Sequence, residues 1–288
     1  MKILIIGSRG QLGSDLMRTK PLHNKIDIVS INRSQLDLSD TARIYPLLIE
    51  QSFDVLINCA AYNRVDDAES NVHEAYLVNA YAVREFARVC EKQKHIFIHI
   101  SSDYVFSGNK STPYIEADLP IPLSVYGTSK ALGEVFALEY SENIILRTAS
   151  LFGIAGSRGK GGNFVASIIN KTKEKKPIEV VNDITMSPTS TKDLAQWIWI
   201  ILENKIQPGM YNAVNTGHAT WFNFAQEIIS HIKSDANLSV VTSTTYPHKA
   251  IRPRYSVLDN AKLTAQIGSI RSWQEALTDY LQEKRYRT

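Results

Sequence analysis

The apolar run Ile3-Leu4-Ile5-Ile6 leads without a break into Gly7-Ser8-Arg9-Gly10-Gln11-Leu12-Gly13, and then into a helical pattern through Leu16 and Met17. This order predicts strand, glycine turn, helix. Glycines remove the β-carbon where a backbone must approach a pyrophosphate, and the first N–H groups of the helix, at the positive end of its dipole, hold the anion. The spacing is G-x-x-G-x-x-G rather than G-x-G-x-x-G, and a glycine triplet can also be a plain structural turn. Directly after an apolar strand it points to dinucleotide binding, with Gly7, Arg9, Gly10, Gln11, Leu12 and Gly13 as the residues that meet the cofactor.

Further apolar strands, Ile26 to Ile31, Val55 to Ile57, Ile96 to Ile100 and Ile144 to Leu146, alternate with helical patterns. Repeated β-α units imply a parallel sheet, and near-continuous apolar strands imply helices on both faces. The expected fold class is therefore α/β, a Rossmann-like doubly wound sheet with its ligand crevice at the carboxyl ends of the strands. Those ends carry Gly7 to Gly13, Asn58 to Tyr62, Ser101 to Phe106 and Thr148 to Gly153, so four distant segments are expected to converge. After about residue 150 a glycine cluster (Gly153, Gly156, Gly159, Gly161, Gly162) precedes a helix from Asn163 to Lys175. We expect a dinucleotide-binding domain over 1–150 plus about 178–215, with Val180-Val181 and a helix from Asp193 to Leu202 rejoining the first sheet. A smaller, discontinuous substrate lobe then takes about 151–177 and 216–288, with helices Trp221 to His231 and Trp273 to Glu283.

The composition, 44% hydrophobic and 21% charged over 288 residues, is that of a soluble globular chain with a sizeable core. A net charge of +3 without a basic stripe argues against nucleic acid. Cys59 and Cys90 have no zinc or disulfide spacing, and no apolar run approaches membrane-spanning length, so a cytoplasmic, non-membrane protein is expected. Met1-Lys2 enters the first strand at once, leaving no room for a signal peptide.

Tyr126 and Lys130 stand one helical turn apart in Ser124-Val125-Tyr126-Gly127-Thr128-Ser129-Lys130. A phenol with pKa near ~10 is a poor acid at neutral pH. An ammonium about 4 Å away at an effective dielectric near 20 contributes roughly 4 kcal/mol, about three pKa units, enough to tune it toward 7. Ser102, at the end of the His95 to Ile100 strand, offers a second hydroxyl. Two donors on one oxygen would stabilise the alkoxide formed when hydride reaches a carbonyl carbon. The alternatives are an amphipathic helix with an incidental Tyr and Lys, and a serine that merely caps a turn.

With these motifs the chain resembles the extended short-chain dehydrogenase/reductase superfamily and, within it, the dTDP-4-dehydrorhamnose reductase family, over nearly its whole length. The resemblance is carried also by Asn58-Cys59-Ala60-Ala61-Tyr62, Val65-Asp66-Asp67-Ala68-Glu69, Ser102-Asp103-Tyr104-Val105-Phe106, Arg147-Thr148, Gly162-Asn163-Phe164, Ser187-Pro188-Thr189 and Arg252-Pro253. It implies that Ser102 binds a 4-keto oxygen of a nucleotide-linked 6-deoxy sugar, Tyr126 donates the proton, and Lys130 binds the nicotinamide ribose and lowers the tyrosine pKa. It implies that Asp37 and Leu38 frame the adenine, Ala60, Ala61 and Tyr62 line the cofactor groove, and Asn79 sits beneath the site. Asp103, Val105, Phe106, Asn163 and Arg252 would meet the sugar nucleotide, with the Arg252 guanidinium suited to a diphosphate.

Where the family often reads Arg-Thr-Ser-Trp this chain has Arg147-Thr148-Ala149-Ser150, so an aromatic wall is absent or supplied elsewhere, and another nucleotide 4-keto sugar, or an epimerase activity, stays open. Arg9 and Arg33, with no acid at the end of the second strand, favour NADPH, NADH being the alternative. Some members use a divalent ion at a dimer interface; no Mg2+ site is placed by this sequence, and homodimerisation is left open. A rival reading is a non-catalytic, NADP-binding regulatory subunit resembling the methionine adenosyltransferase β subunit. His99, flanked by Ile98 and Ile100, reads as a core histidine, and Trp197, Trp199, Tyr76 and Tyr81 as packing or dimer surface.

Overall fold

The computed structural model describes residues 1–22, 25–156, 161–245 and 249–286. Strands β1 (Lys2–Ile6), β2 (Asp27–Ile31), β3 (Val55–Asn58), β4 (Ile96–Ser102) and β5 (Ile144–Thr148) come first. Between them run α1 (Gln11–Arg18), α2 (Ile44–Ile49), α3 (Val65–Ala68), α4 (Val72–Tyr76), a π-helical turn (Leu77–Tyr81), α5 (Ala82–Gln93) and α6 (Val125–Leu138). The chain continues through β6 (Leu151–Phe152), α7 (Phe164–Lys173), β7 (Ile178–Val181), β8 (Thr185–Met186), β9 (Thr189–Ser190) and α8 (Thr191–Asn204). It ends with β10 (Gly209–Asn212), β11 (Ala219–Thr220), α9 (Trp221–His231), β12 (Leu238–Val241), α10 (Ala261–Ile267) and α11 (Trp273–Glu283).

Six strands form one parallel sheet in the order β10-β5-β4-β3-β1-β2. The period of two sends Ile3, Ile5, Ile57, Ile98 and Ile144 to one face, against Leu12 and Leu16 of α1 and Leu194 and Ile198 of α8. Leu4, Ile6, Leu56, Phe97 and Ile145 turn to the other, against Val83 and Phe86 of α5. Both faces are covered, which is why the strands read as unbroken apolar runs. The order reverses between β1 and β3, and the crevice of a doubly wound sheet opens at that point.

The helix expected at Asp193 to Leu202 returns to this sheet as α8, but Val180-Val181 does not. β7 pairs instead with β12 in a separate two-stranded ribbon, Val180 opposite Val240, over the core formed by Val165, Ile168, Phe224, Ile228, Leu277 and Tyr280. A four-residue apolar strand has the same pattern whichever partner it finds. Of the glycine cluster, Gly156 (φ 64°), Gly161 (φ 72°) and Gly162 (φ 139°) hold positive φ, while Gly159 lies outside the described residues. Among the described residues no helix is long and apolar enough to cross a membrane.

Candidate active site

A cleft of about 800 Å³ opens at the carboxyl ends of the strands, where all four expected segments contribute lining residues. Its wall at β1 is the glycine turn. Gly7 has φ 82°, and a Cβ there would come to 2.8 Å from the Ala60 nitrogen, so the turns after β1 and β3 meet only because this position is glycine. Gly13 does not line the cleft; it packs on the Gly7 carbonyl and Ser8, closing α1 onto the turn. No side chain caps α1, leaving its first-turn N–H groups for an anion. Gly10, Gln11 and Leu12 line the cleft beside them, so this turn fits a dinucleotide.

Arg9, Arg33, Asp37, Leu38, Ala60, Ala61 and Tyr62 also line it. Both arginines are exposed, but Arg33 is not free of acids: Asp37 lies 3.4 Å and Glu74 3.7 Å from its guanidinium. Hydrogen bonds from Ser39 and the Arg33 charge hold the Asp37 carboxyl below its ordinary pKa. The second strand ends without an acid, as the sequence reads, yet two carboxylates reach the same place from elsewhere.

Ser124 caps α6 by accepting from the Gly127 N–H at 3.1 Å, and this start aims Tyr126 and Lys130 into the cleft. Ser102 and Tyr126 both line this part of the cleft, and the Ser102 hydroxyl lies near enough to the phenol to influence its titration. The Ser102 hydroxyl also donates to Asp103 Oδ1 at 3.0 Å, and Ser256 donates to Asp103 Oδ2 at 2.6 Å. Asp103 lines the cleft but faces these two serines. The Tyr126 ring is set edge-on to Tyr104, with centroids 5.7 Å apart.

The phenol is not acidified in this arrangement. Burial, with the nearby charge of Asp103, pushes Tyr126 up to about 12, opposed by the neighbouring Ser102 hydroxyl. Lys130, 1% exposed, donates to the Ile100 carbonyl at 2.6 Å and stands 3.2 Å from His99 Nε2. Burial lowers Lys130 to about 8, opposed by Glu134. The expectation of a tyrosine tuned toward neutrality therefore fails here, because burial acts on the phenol while the amine is engaged beneath it.

Other expected contacts fall elsewhere. Val105 and Phe106 do not face the cleft: the chain turns through a 3-10 turn after β4 and drops both into a core with Tyr114, Ala149, Val214 and Leu258. Asn79, on the π-helical turn, braces the cleft rather than lining it; its amide accepts from the Tyr62 N–H at 2.8 Å and donates to the Tyr62 carbonyl and Ser129 hydroxyl, each at 3.0 Å. Arg252 is also outside the lining, gripping both oxygens of Asp66 at 3.1 and 2.7 Å and donating to the Ala250 carbonyl. Asn163 does line the cleft, bonded to Gln11 and to the Gly153 carbonyl.

Sequence reasoning missed an aromatic wall. Phe164, Trp221 and Phe224 line the cleft beside Asn163, with Phe164 and Trp221 centroids 4.6 Å apart. They come from the first turns of α7 and α9, and only their helix-start positions beside the caps Asn163 and Thr220 hinted at it. His99, read as a core histidine, is wholly buried but carries polar contacts through both ring nitrogens. Among the described residues no group of three or more His, Cys, Asp or Glu side chains could hold a metal ion.

The model of the family described as "RmlD substrate binding domain" matches residues 1–286. The spore coat polysaccharide biosynthesis protein SpsK of Bacillus subtilis is 33% identical over 288 residues, spanning 98% of each chain. The dTDP-4-dehydrorhamnose reductase of Streptomyces griseus is 35% identical over 286 residues, spanning 96% of this chain and 91% of the relative. The crystal structure of dTDP-4-dehydrorhamnose reductase from Bacillus anthracis in complex with NADP superposes with a TM-score of 0.91 at 32% identity, over 98% of this chain and 99% of that one.

Proposed function

The chain belongs to the dTDP-4-dehydrorhamnose reductase (RmlD) family, and from that premise we propose that it is an NADPH-dependent reductase of a nucleotide-linked 4-keto-6-deoxy sugar, with dTDP-4-dehydro-L-rhamnose as substrate and dTDP-L-rhamnose as product. The observation that carries this reading is that Ser102, Tyr126 and the buried Lys130, one turn further along α6, all line the same cleft at the carboxyl ends of the strands. The glycine turn and α1 start would hold a reduced nicotinamide dinucleotide, which would supply the hydride for the carbonyl carbon. Tyr126 gives its proton to the carbonyl oxygen, and Ser102, by turning its one hydroxyl proton away from Asp103 Oδ1, gives a second hydrogen bond to the same atom. Burial keeps the phenol protonated until a receiving oxygen is present, and below pH about 8 Lys130 adds a positive charge beneath the phenolate left behind.

Arg9 and Arg33 at the rim favour a 2′-phosphate, and the NADP held by the Bacillus anthracis relative supports that preference. Phe164 and Trp221, their rings inclined at 59°, offer apolar aromatic surface in place of the aromatic absent at Ser150. The free thiols Cys59 and Cys90, both pushed upward in pKa by burial, suit a reducing cytoplasm.

Incubation with NADPH and a panel of dTDP-, UDP-, GDP- and CDP-linked 4-keto sugars, with product stereochemistry read by NMR, tests the substrate. Preferential conversion of dTDP-4-dehydro-L-rhamnose is expected. Preference for another sugar would move the assignment, and NADPH binding without turnover on any of them would favour a regulatory subunit.

A further inference from the structure

Lys130, His99, Asn58 and Ala60 form one chain of polar contacts running from α6 across β4 to the segment after β3. Lys130 Nζ is 3.2 Å from His99 Nε2, His99 Nδ1 is 3.2 Å from Asn58 Nδ2, and Asn58 Oδ1 is 3.1 Å from the Ala60 nitrogen. At its other end Lys130 donates to the Ile100 carbonyl at 2.6 Å. Asn58 and His99 are wholly buried, so no water relieves a mismatch between them.

The two ends are fixed: a backbone N–H only donates and a carbonyl only accepts. Between them an amide has one donating and one accepting end, and a neutral imidazole has one nitrogen of each kind. Burial and the adjoining Lys130 hold His99 well below the ordinary histidine pKa, hence neutral. Every contact is then satisfied in only one order. The Ala60 N–H donates to Asn58 Oδ1, Asn58 Nδ2 to His99 Nδ1, His99 Nε2–H to the Lys130 nitrogen, and Lys130 to Ile100. That order ends on the lone pair of an uncharged amine, which an ammonium lacks. Once Lys130 carries a proton, one link must set donor against donor. A charge-assisted hydrogen bond is roughly twice as strong as a neutral one, so the link from Lys130 to His99 survives and the mismatch moves outward to Asn58.

We propose that His99 and Asn58 are positioning residues that couple the charge on Lys130 to the backbone of Ala60. Proton uptake by Lys130 shifts the imidazole proton from Nε2 to Nδ1, and Asn58 then either faces His99 donor to donor or rotates and releases the Ala60 N–H. Ala60 is the residue against which Gly7 packs, so the charge on the amine reaches the wall of the dinucleotide cleft. The titratable and charged groups around Lys130 are His99 on β4, Tyr126 and Glu134 on its own helix, and Arg147 on β5, which holds Glu134. Asp103, beyond Tyr126, and Cys59, next to Asn58, complete the set. The catalytic meaning of the coupling rests on the reductase reading; the tautomer shift does not.

The test is a nitrogen-15 NMR titration of the imidazoles of the full chain without ligand, from about pH 6 to about pH 9.5, with the His99 signals assigned by their loss in His99→Gln. The expected result is a His99 that stays neutral and passes from the Nδ1–H to the Nε2–H tautomer as pH rises, with a midpoint near the Lys130 pKa of about 8. In Asn58→Asp the carboxylate accepts from both Ala60 N–H and His99 Nδ1–H, so the Nδ1–H tautomer should hold throughout. A single tautomer across the range in the unaltered protein, or conversion to imidazolium, would overturn the proposal even if Asn58→Asp does not fold. Absence of sugar-nucleotide turnover would count against the proposed function alone, because the titration reads no activity.

Discussion

Nζ of Lys130 stands 3.2 Å from Nε2 of His99 inside the protein, with both side chains almost completely shut off from solvent. The amine is held from below by this contact and by the Ile100 carbonyl, so burial sets its titration more than any single partner does.

A lysine pushed from 10.5 down to about 8 binds fewer protons in the folded than in the unfolded chain between those values. Stability therefore rises with pH across that window. Relative to Lys130→Met, the unaltered protein should gain up to roughly 3 kcal/mol between pH about 8 and about 10.4, with no trend below pH 8. Urea unfolding of both proteins across the range checks this, and a difference that falls with pH would count against it.

Glu134 and Arg147 form a bidentate pair at 2.9 and 2.8 Å, with side chains 3% and 2% exposed. Glu134→Gln leaves a guanidinium buried without its counter-charge and should cost about 3 kcal/mol, measurable by thermal unfolding. Because Glu134 also holds the Lys130 pKa up, the variant should shift any Lys130-dependent limb of the activity profile to lower pH. An upward shift would be inconsistent with the packing of α6 on β5.

On the proposed reading the exposed guanidiniums of Arg9 and Arg33 would meet the 2′-phosphate, Arg33 in competition with Asp37 and Glu74. Arg33→Ala should raise the KM for NADPH about tenfold while leaving that for NADH nearly unchanged, since a hydrogen bond to a charged group contributes roughly 1.5–3 kcal/mol. Glu74→Gln, which removes an acid 3.7 Å from Arg33, should lower the KM for NADPH. Equal effects of Arg33→Ala on the two cofactors would refute the preference.

Trp221 and Phe164 present aromatic surface on the cleft wall, their rings inclined at 59°. Stacking at such a surface contributes roughly 0.5–1.5 kcal/mol, so Trp221→Ala should raise the KM for the sugar nucleotide about three- to tenfold. Cofactor affinity, followed by nucleotide fluorescence, should be unchanged. A loss of cofactor affinity with substrate KM intact would assign the wall to the other ligand.

The parts of this site written in contiguous residues were legible before the fold was known. The glycine turn after β1, the hydroxyl of Ser102 at the end of β4 and the one-turn spacing of Tyr126 and Lys130 each follow from local geometry and the rule that a doubly wound sheet opens at its strand ends. What depended on distant partners was not legible. Val105 and Phe106 continue a cleft-lining segment in sequence, but a 3-10 turn carries them into the core beside Tyr114. Phe164 and Trp221 open different helices and meet only in space. His99 looks like any strand histidine until Asn58 and Lys130 approach its two nitrogens. Charge proximity alone points the Tyr126 shift downward, whereas burial, which only the fold reveals, is the larger effect and turns it upward.

The central claim is that Tyr126 is the acid of a carbonyl reduction. The most direct measurement is NADPH oxidation with dTDP-4-dehydro-L-rhamnose by the unaltered protein and by Tyr126→Phe, with cofactor binding measured on both. Loss of a positioned general acid removes on the order of 10²–10⁴ in rate, so the variant should lose at least ~100-fold in kcat while binding NADPH normally. Turnover by Tyr126→Phe within a few-fold of the unaltered protein would contradict the account.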